Sequence, residues 1–366
     1  MRKVILFGGT FDPIHFGHIE MARRAKEQIG ADEVVFVLAK KPRWKLPSAD
    51  VRLRLNMLRL GIQNINGFSI SLFEVDSESE INYTIDTIKH FLESYKTAEL
   101  YYLVGFDQVE KFPEWKDGNQ IAALAHVIAY GRPDYPLDLK IVETYKITLL
   151  NGPLLDVSST AIRELRSLDT PYPVISYIVD QDLYFMKKLH SFINNKRLEH
   201  SVSVAKLAYS IAENNGIDPQ KAFLAGLLHD IGKDHIHDDA MKAKINEIYF
   251  DENEDLPKFA YHQFSGSLIA ASEFAVKDPE IIDAIRYHAT GKANMSPLGM
   301  VIYSADKIEP TRGFDSTLLI KACIENYEKG FIEVLKANRT FLLGKKSAIN
   351  NPLTNACMKM YTGEAQ

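Results

Sequence analysis

Apolar residues in the first half of the chain fall into short continuous runs separated by amphipathic stretches. Lys3-Val4-Ile5-Leu6-Phe7 is such a run and stops at Gly8-Gly9, which predicts a strand buried on both faces and closed by a tight turn. Gly17 to Ile29 places Ile19, Ala22, Ala25 and Ile29 on one face with charges between them, and Gly30 follows. That pattern predicts an amphipathic helix with a glycine C-cap. Further strands are predicted over Glu33–Leu38, Ser69–Val75, Leu100–Val104, His126–Tyr130 and Ile147–Leu150, with a helix over Tyr83–Tyr95. Strands spaced by helices imply right-handed crossovers and a doubly wound parallel sheet covered on both faces. Ligands in such sheets sit at the carboxyl ends of the strands, where Gly8-Gly9 and Gly105 fall.

After about Met186 the strand pattern gives way to helical periodicity. Arg197–Asn214, Pro219–Leu228, Ser265–Ala275 and Pro279–Tyr287 read as helices, and Pro297–Ser304 begins another. The chain is therefore expected to form an α/β domain over residues 1–186 and an all-α domain over residues 187–366. The total of 366 residues fits two domains that each bury a core. A 46% apolar and 25% charged composition is that of a globular protein, and Asp251–Asp255 reads as a solvated acidic loop. The net charge of −5 argues against nucleic acid as a partner. No run is long enough to span a bilayer, and the opening apolar run is too short for a signal peptide. Two cysteines, Cys323 and Cys357, fit a reducing compartment, so a cytoplasmic protein is expected. Oligomeric state is left open.

Two constellations carry chemistry. Gly8-Gly9-Thr10-Phe11-Asp12-Pro13-Ile14-His15-Phe16-Gly17-His18 puts a glycine turn between a strand and a helix, with two imidazoles three residues apart. Backbone N–H groups there can approach an anion, and His15 and His18 can hold nucleotide phosphates and donate to charge that develops as a leaving group departs. The segment resembles the signature of H-x-G-H nucleotidylyltransferases, specifically bacterial nicotinate-nucleotide adenylyltransferases. Val157-Ser158-Ser159-Thr160-Ala161-Ile162-Arg163 is similar to that family's I-S-S-T-x-I-R, at a helix start where Ser158, Ser159 and Thr160 can cap and Arg163 can reach phosphate.

More of the first half follows the same family. The resemblance assigns Thr84, in Asn82-Tyr83-Thr84-Ile85-Asp86-Thr87, and Trp115, in Phe112-Pro113-Glu114-Trp115, to the nicotinate end of the substrate. Gly105 and Asp107 resemble the adenosine-contacting loop, with Phe106 where the family has a small residue. Lys45 keeps the place of a phosphate-contacting lysine, although Arg43 and Trp44 depart from the family's P-P-H-K, and Arg132-Pro133 matches a family Arg-Pro. Tyr177-Ile178 and Leu183-Tyr184 close the match. The resemblance implies a Rossmann-like sheet of nucleotidylyltransferase type, with Gly8, Gly9, Thr10, Phe11, Gly105, Asp107, Arg132, Ser158, Ser159, Thr160 and Arg163 binding ATP. The implied reaction is attack of the nicotinate mononucleotide phosphate on the α-phosphorus of ATP, with Mg2+ on the departing pyrophosphate and deamido-NAD as product. No side chain need serve as nucleophile, and alignment and electrostatics carry the catalysis.

The second constellation is His229-Asp230, which closes the apolar stretch Ala222–Leu228, together with His200, His262, His288 and Asp306. An ionised Asp at such a place is costly unless paired or metal-bound. The series resembles HD-type phosphohydrolases. Four imidazoles and two carboxylates suit two metal ions, with Asp230 bridging, and the mixed donors fit iron, manganese, cobalt or zinc. Asp306-Lys307-Ile308-Glu309-Pro310-Thr311-Arg312 is similar to the symmetrical bis(5'-nucleosyl)-tetraphosphatases of the HD superfamily, which cut diadenosine tetraphosphate to two ADP with a di-iron centre. On that resemblance Lys233 and Arg312 contact polyphosphate.

The expected protein is thus bifunctional. Two alternatives stand beside it: a transferase for another phosphorylated acceptor, which Thr84 and Trp115 disfavour, and a helical domain that binds nucleotides for regulation without turnover, which the full set of six metal-type residues disfavours.

Overall fold

The computed structural model describes residues 1–41, 46–79, 81–131, 137–153, 156–235, 239–249, 260–344 and 351–363. The chain divides into two compact units, Met1–Tyr184 and Phe185–Gln366.

The first unit is built on a sheet of six strands among the described residues: β1 (Arg2–Gly9), β2 (Glu33–Leu38), β3 (Phe68–Ser71), β4 (Ala98–Gly105), β5 (His126–Tyr130) and β6 (Thr148–Leu149). Their order is β3-β2-β1-β4-β5-β6 and every pairing is parallel. The chain crosses from one side of β1 to the other between β3 and β4. This is the doubly wound topology, and the reversal of strand order puts a crevice at the carboxyl ends of β1 and β4. Val4, Ile5 and Leu6 are fully buried because helices cover both faces of β1. Helix Phe16–Ile29 follows β1 after the loop of residues 10–15, and Gly30 closes it at φ +65°, its N–H returning to the carbonyls of Glu27 and Lys26.

Two predicted strands come out shorter. Residues Phe73–Asp76 form a helical turn instead of continuing Ser69–Val75 as a strand. β3 is an edge strand with a ladder only on β2, and the Ser71 hydroxyl accepts the Phe73 N–H at 3.2 Å, which starts a turn where no second ladder holds the chain extended. At the opposite edge, β6 covers Thr148–Leu149 of the predicted Ile147–Leu150.

The regular elements among the second unit's described residues are all helices. The predicted Pro219–Leu228 helix is observed at those limits, with Asp218 accepting the N–H groups of Gln220 and Lys221. Asn194 caps helix Asn195–Asn214. The helix expected over Ser265–Ala275 is displaced to Tyr261–Ser272, so it includes His262. Its end is set by Ala275, held at φ +52°, and by the Val276 N–H returning to the Ala270 carbonyl. Helix Pro279–Arg286 follows, and helix Pro297–Ile308 carries Asp306. Helices Thr317–Glu325, Tyr327–Gly344 and Pro352–Thr362 add a layer containing buried Cys323, Phe331, Val334, Leu335 and Cys357. No helix among the described residues is long and apolar enough to cross a membrane.

Candidate functional site

In the first unit a cleft of about 420 Å3 opens at the carboxyl ends of β1 and β4. Gly8, Gly9, Thr10, Phe11 and His18 line it from the end of β1 and the loop and helix that follow, Gly105 and Asp107 from the end of β4 and the turn after it, and Thr84 and Trp115 from the two segments expected to meet the nicotinate end. A Cβ on Gly8 would stand 2.6 Å from the Tyr102 hydroxyl, so a larger residue there would have to displace that ring. The two histidines divide their tasks. His15 is buried and caps the helix, its Nδ1 accepting the His18 N–H at 3.3 Å, while His18 stacks on it at 3.6 Å between centroids and faces the cleft. Phe11, at φ +46°, packs against His18 in a T-shaped contact at 5.1 Å between centroids.

Ser158 caps the short helix Ser159–Arg163, accepting the Ala161 N–H at 3.2 Å. The Ser159 hydroxyl donates to the Pro13 carbonyl, and Arg163 donates to the Asp12 carbonyl at 2.6 Å and to Thr160 Oγ1 at 2.8 Å. This segment is therefore tied directly to the loop after β1. Trp115 sits half-buried at the cleft wall, edge-on to Tyr102 at 6.0 Å and tilted over Phe112 at 5.1 Å. Lys45 and Arg132 lie outside the described residues, as do Pro42–Trp44, Pro133 and the Asp251–Asp255 loop.

Sequence reasoning missed the groups that hold this cleft in shape. The Asp12 carboxylate, 3% exposed, accepts the N–H groups of Ser48 and Ala49 and the Tyr184 hydroxyl at 2.8 Å, with Arg163 Nη1 4.0 Å away. Arg54, 1% exposed, donates to the carbonyls of Ala49, Thr10, Ala39 and Lys40, so one guanidinium binds the ends of β1 and β2 together. A signal was present, because Arg54, Met57, Leu58 and Gly61 occupy one buried helical stripe and an Arg on such a stripe must find acceptors. Glu74 also lines the cleft. Burial pushes its carboxyl up, although the Thr87 hydroxyl donates to it at 2.8 Å and works the other way.

In the second unit all six expected ligand residues converge. His200 comes from helix Asn195–Asn214, His229-Asp230 from the end of helix Pro219–Leu228, and His262 from helix Tyr261–Ser272. His288 follows helix Pro279–Arg286, and Asp306 lies in helix Pro297–Ile308. Two groups each bring ligand atoms within 4.8 Å of one another: His200, His229 and Asp306, and His229, Asp230 and His288. His262 joins the second, its Nε2 3.1 Å from His288 Nε2 and 3.4 Å from Asp230 Oδ1. Close approach of the turn after helix Pro219–Leu228 to helix Tyr261–Ser272 makes this possible. A Cβ on Gly232 would run into the Gly266 amide, the Ser265 hydroxyl and the His262 carbonyl.

The electrostatics fit a cation site. Burial opposes ionisation of Asp230, yet His229, His288 and Lys233 hold its carboxyl well below the ordinary range. Burial likewise opposes ionisation of Asp306, against which Lys307, His200, His229 and Arg312 hold it low. His229 Nδ1 is 2.7 Å from the Gly226 carbonyl and His288 Nδ1 2.7 Å from the Ile285 carbonyl, which leaves each Nε2 facing the carboxylates. His229 Nε2 and Asp230 Oδ1 are buried without a hydrogen-bond partner, as expected for atoms whose partner is a metal ion. Lys233 contacts Asp230 and Arg312 contacts Asp306, each with a side chain about one-third exposed.

Comparison with known proteins matches both units. A Cytidylyltransferase-like family model covers residues 6–165, and an HD domain model covers residues 197–311. The probable nicotinate-nucleotide adenylyltransferase/Ap4A hydrolase of Mycoplasma genitalium is 31% identical over 345 residues, 92% of this chain and 97% of its own. The protein of the same name from Mycoplasma pneumoniae is 30% identical over 349 residues, 92% of this chain and 99% of its own. A probable nicotinate-nucleotide adenylyltransferase of Clostridium tetani is 34% identical over 174 residues, 45% of this chain and 86% of its own.

Proposed function

The chain belongs to the family of the two-domain nicotinate-nucleotide adenylyltransferase/Ap4A hydrolases, and from that premise we propose that it performs both reactions. Residues 1–186 transfer the adenylyl group of ATP to nicotinate mononucleotide, giving deamido-NAD and pyrophosphate. Residues 187–366 hydrolyse diadenosine tetraphosphate symmetrically to two ADP.

The observation that carries the first assignment is the shared cleft, where the Gly8–Phe11 turn, His18, Thr84 and Trp115 meet. ATP lies along the turn with its phosphates toward His18, Arg163 and Thr160, and its adenosine against Gly105 and Asp107. His18 stabilises charge on the departing pyrophosphate, and His15 fixes the His18 backbone by capping its helix. The pyridine ring rests on Trp115 with its carboxylate toward Thr84. Lys45 and Arg132 complete the phosphate contacts, and Mg2+ accompanies ATP.

The second assignment is carried by the convergence of six ligand residues around buried atoms without partners. His200, His229, Asp230, His262, His288 and Asp306 would hold two metal ions. Four imidazoles and two carboxylates accept iron, and iron is the metal proposed, on the likeness to di-iron phosphohydrolases. When bound, the metal pair supplies an activated water and neutralises charge at the phosphoanhydride. Lys233 and Arg312 then contact the flanking phosphates, and Lys233 also holds Asp230 in place.

The test is a paired assay on one preparation. ATP with nicotinate mononucleotide should yield pyrophosphate and deamido-NAD in equal amounts, and diadenosine tetraphosphate should yield ADP. Replacing nicotinate mononucleotide by other phosphorylated acceptors with equal turnover would overturn the substrate assignment.

A further inference from the structure

Glu309 stands outside the six-residue ligand set, yet it is 1% exposed and touches one of those ligands. Its Oε1 is 2.9 Å from Nδ1 of His200 and accepts the Thr311 hydroxyl at 2.8 Å, while Oε2 accepts the Thr311 N–H at 2.7 Å. Both oxygens are thereby fixed. An ionised carboxylate only accepts, so this contact keeps the imidazole proton on Nδ1 and leaves the lone pair on Nε2. That Nε2 lies 3.2 Å from Asp306 Oδ1 and 3.8 Å from Asp230 Oδ2, where the two carboxylates converge. His229 and His288 have the same need met by backbone carbonyls three residues earlier in the chain. His200 lies mid-helix in Asn195–Asn214 and is served by a side chain 109 residues further on.

We propose that Glu309 is a positioning residue of the metal centre, orienting His200 and strengthening it as a ligand. This rests on the reading of residues 187–366 as a metal-dependent hydrolase. Carboxylates behind metal-binding histidines raise ligand basicity, and their loss weakens metal binding by about 10–100-fold.

The test uses the full chain, stripped of metal and titrated with Mn2+ while free Mn2+ is followed by electron paramagnetic resonance. Glu309→Gln keeps the shape but replaces one acceptor by an NH2 group, and its Mn2+ affinity should fall about 10–100-fold. In a His200→Ala background the same substitution should change Mn2+ affinity no further, because its effect runs through that imidazole. Glu309→Asp, which keeps the charge but withdraws it by one methylene, gives a second variant with a weakening of the same sign should Glu309→Gln fail to fold. Unchanged Mn2+ affinity with a lowered melting temperature would make Glu309 merely structural and overturn the proposal, as would equal losses with and without His200. A wild-type chain that binds no Mn2+ would instead remove the metal-centre reading itself.

Discussion

Trp115→Ala separates a substrate-binding aromatic from a core one, because the structure gives this ring both opportunities. One part of the ring packs on Tyr102 and Phe112, and another faces the cleft. Two aromatic contacts at about 0.5–1.5 kcal/mol each put the packing loss at about 1–3 kcal/mol, and that loss falls on stability. Stacking of an aromatic base on a side chain is also worth about 1–3 kcal/mol by alanine substitution, and that loss falls on the ligand. At a factor of ten per 1.4 kcal/mol, the Michaelis constant for nicotinate mononucleotide should rise about 5- to 150-fold. ATP lies on the Gly8–Gly105 side of the cleft in this account, so its Michaelis constant should move little. The assay is steady-state pyrophosphate release with each substrate varied at saturation of the other, beside a thermal melt and a Trp115→Phe control that restores a ring face. Equal rises for both substrates, or a lowered melting temperature with both constants intact, would refute the stacking role.

The remaining predictions concern both units. His18→Ala should lower adenylyl-transfer kcat about 10²–10³-fold, the loss of about 2.7–4 kcal/mol expected for one donor to developing charge, and leave hydrolysis unchanged; a variant with near-normal transfer would remove His18 from catalysis. Arg54→Met strips four carbonyls of their donor and should destabilise the first unit by no less than about 1–3 kcal/mol, the cost of one buried unsatisfied acceptor. Both tryptophans, Trp44 and Trp115, lie in that unit, so fluorescence-monitored urea unfolding reports on it, and an unshifted midpoint would show the guanidinium to be dispensable. Asp230→Ala should lower bound metal and abolish hydrolysis of diadenosine tetraphosphate while adenylyl transfer survives, with metal content measured beside both activities; full metal occupancy in the variant would exclude Asp230 as a metal ligand.

Local pattern revealed the parts of this protein whose physics is local. The continuous apolar run before Gly8-Gly9 specified the buried central strand, and the 3.6-residue spacing over Gly17–Ile29 specified the helix that follows it. Pro219–Leu228 was legible to the residue because Asp218 caps it and Pro219 fits its first turn. The Ser69–Val75 reading failed at Phe73 because apolar residues suit an edge strand or a helical turn equally, and only the missing second ladder decides. The ligand residues were legible by type, but their convergence depends on tertiary contacts such as the turn at Gly232 against Gly266, which no spacing reports. Asp12, Tyr184 and Glu309 went unread for the same reason, their partners lying 36, 172 and 109 residues away in sequence.

The central claim is that one chain carries two working centres for opposite phosphoanhydride reactions. The most direct measurement is product analysis by ion-exchange chromatography on the iron-loaded full chain given diadenosine tetraphosphate, with deamido-NAD synthesis assayed on the same sample. The account predicts ADP as the sole nucleotide product, its loss on removal of metal from the second unit, and undiminished synthesis once Mg2+ is restored. Formation of ATP and AMP, full hydrolysis by the metal-stripped chain, or binding of diadenosine tetraphosphate without turnover would contradict it.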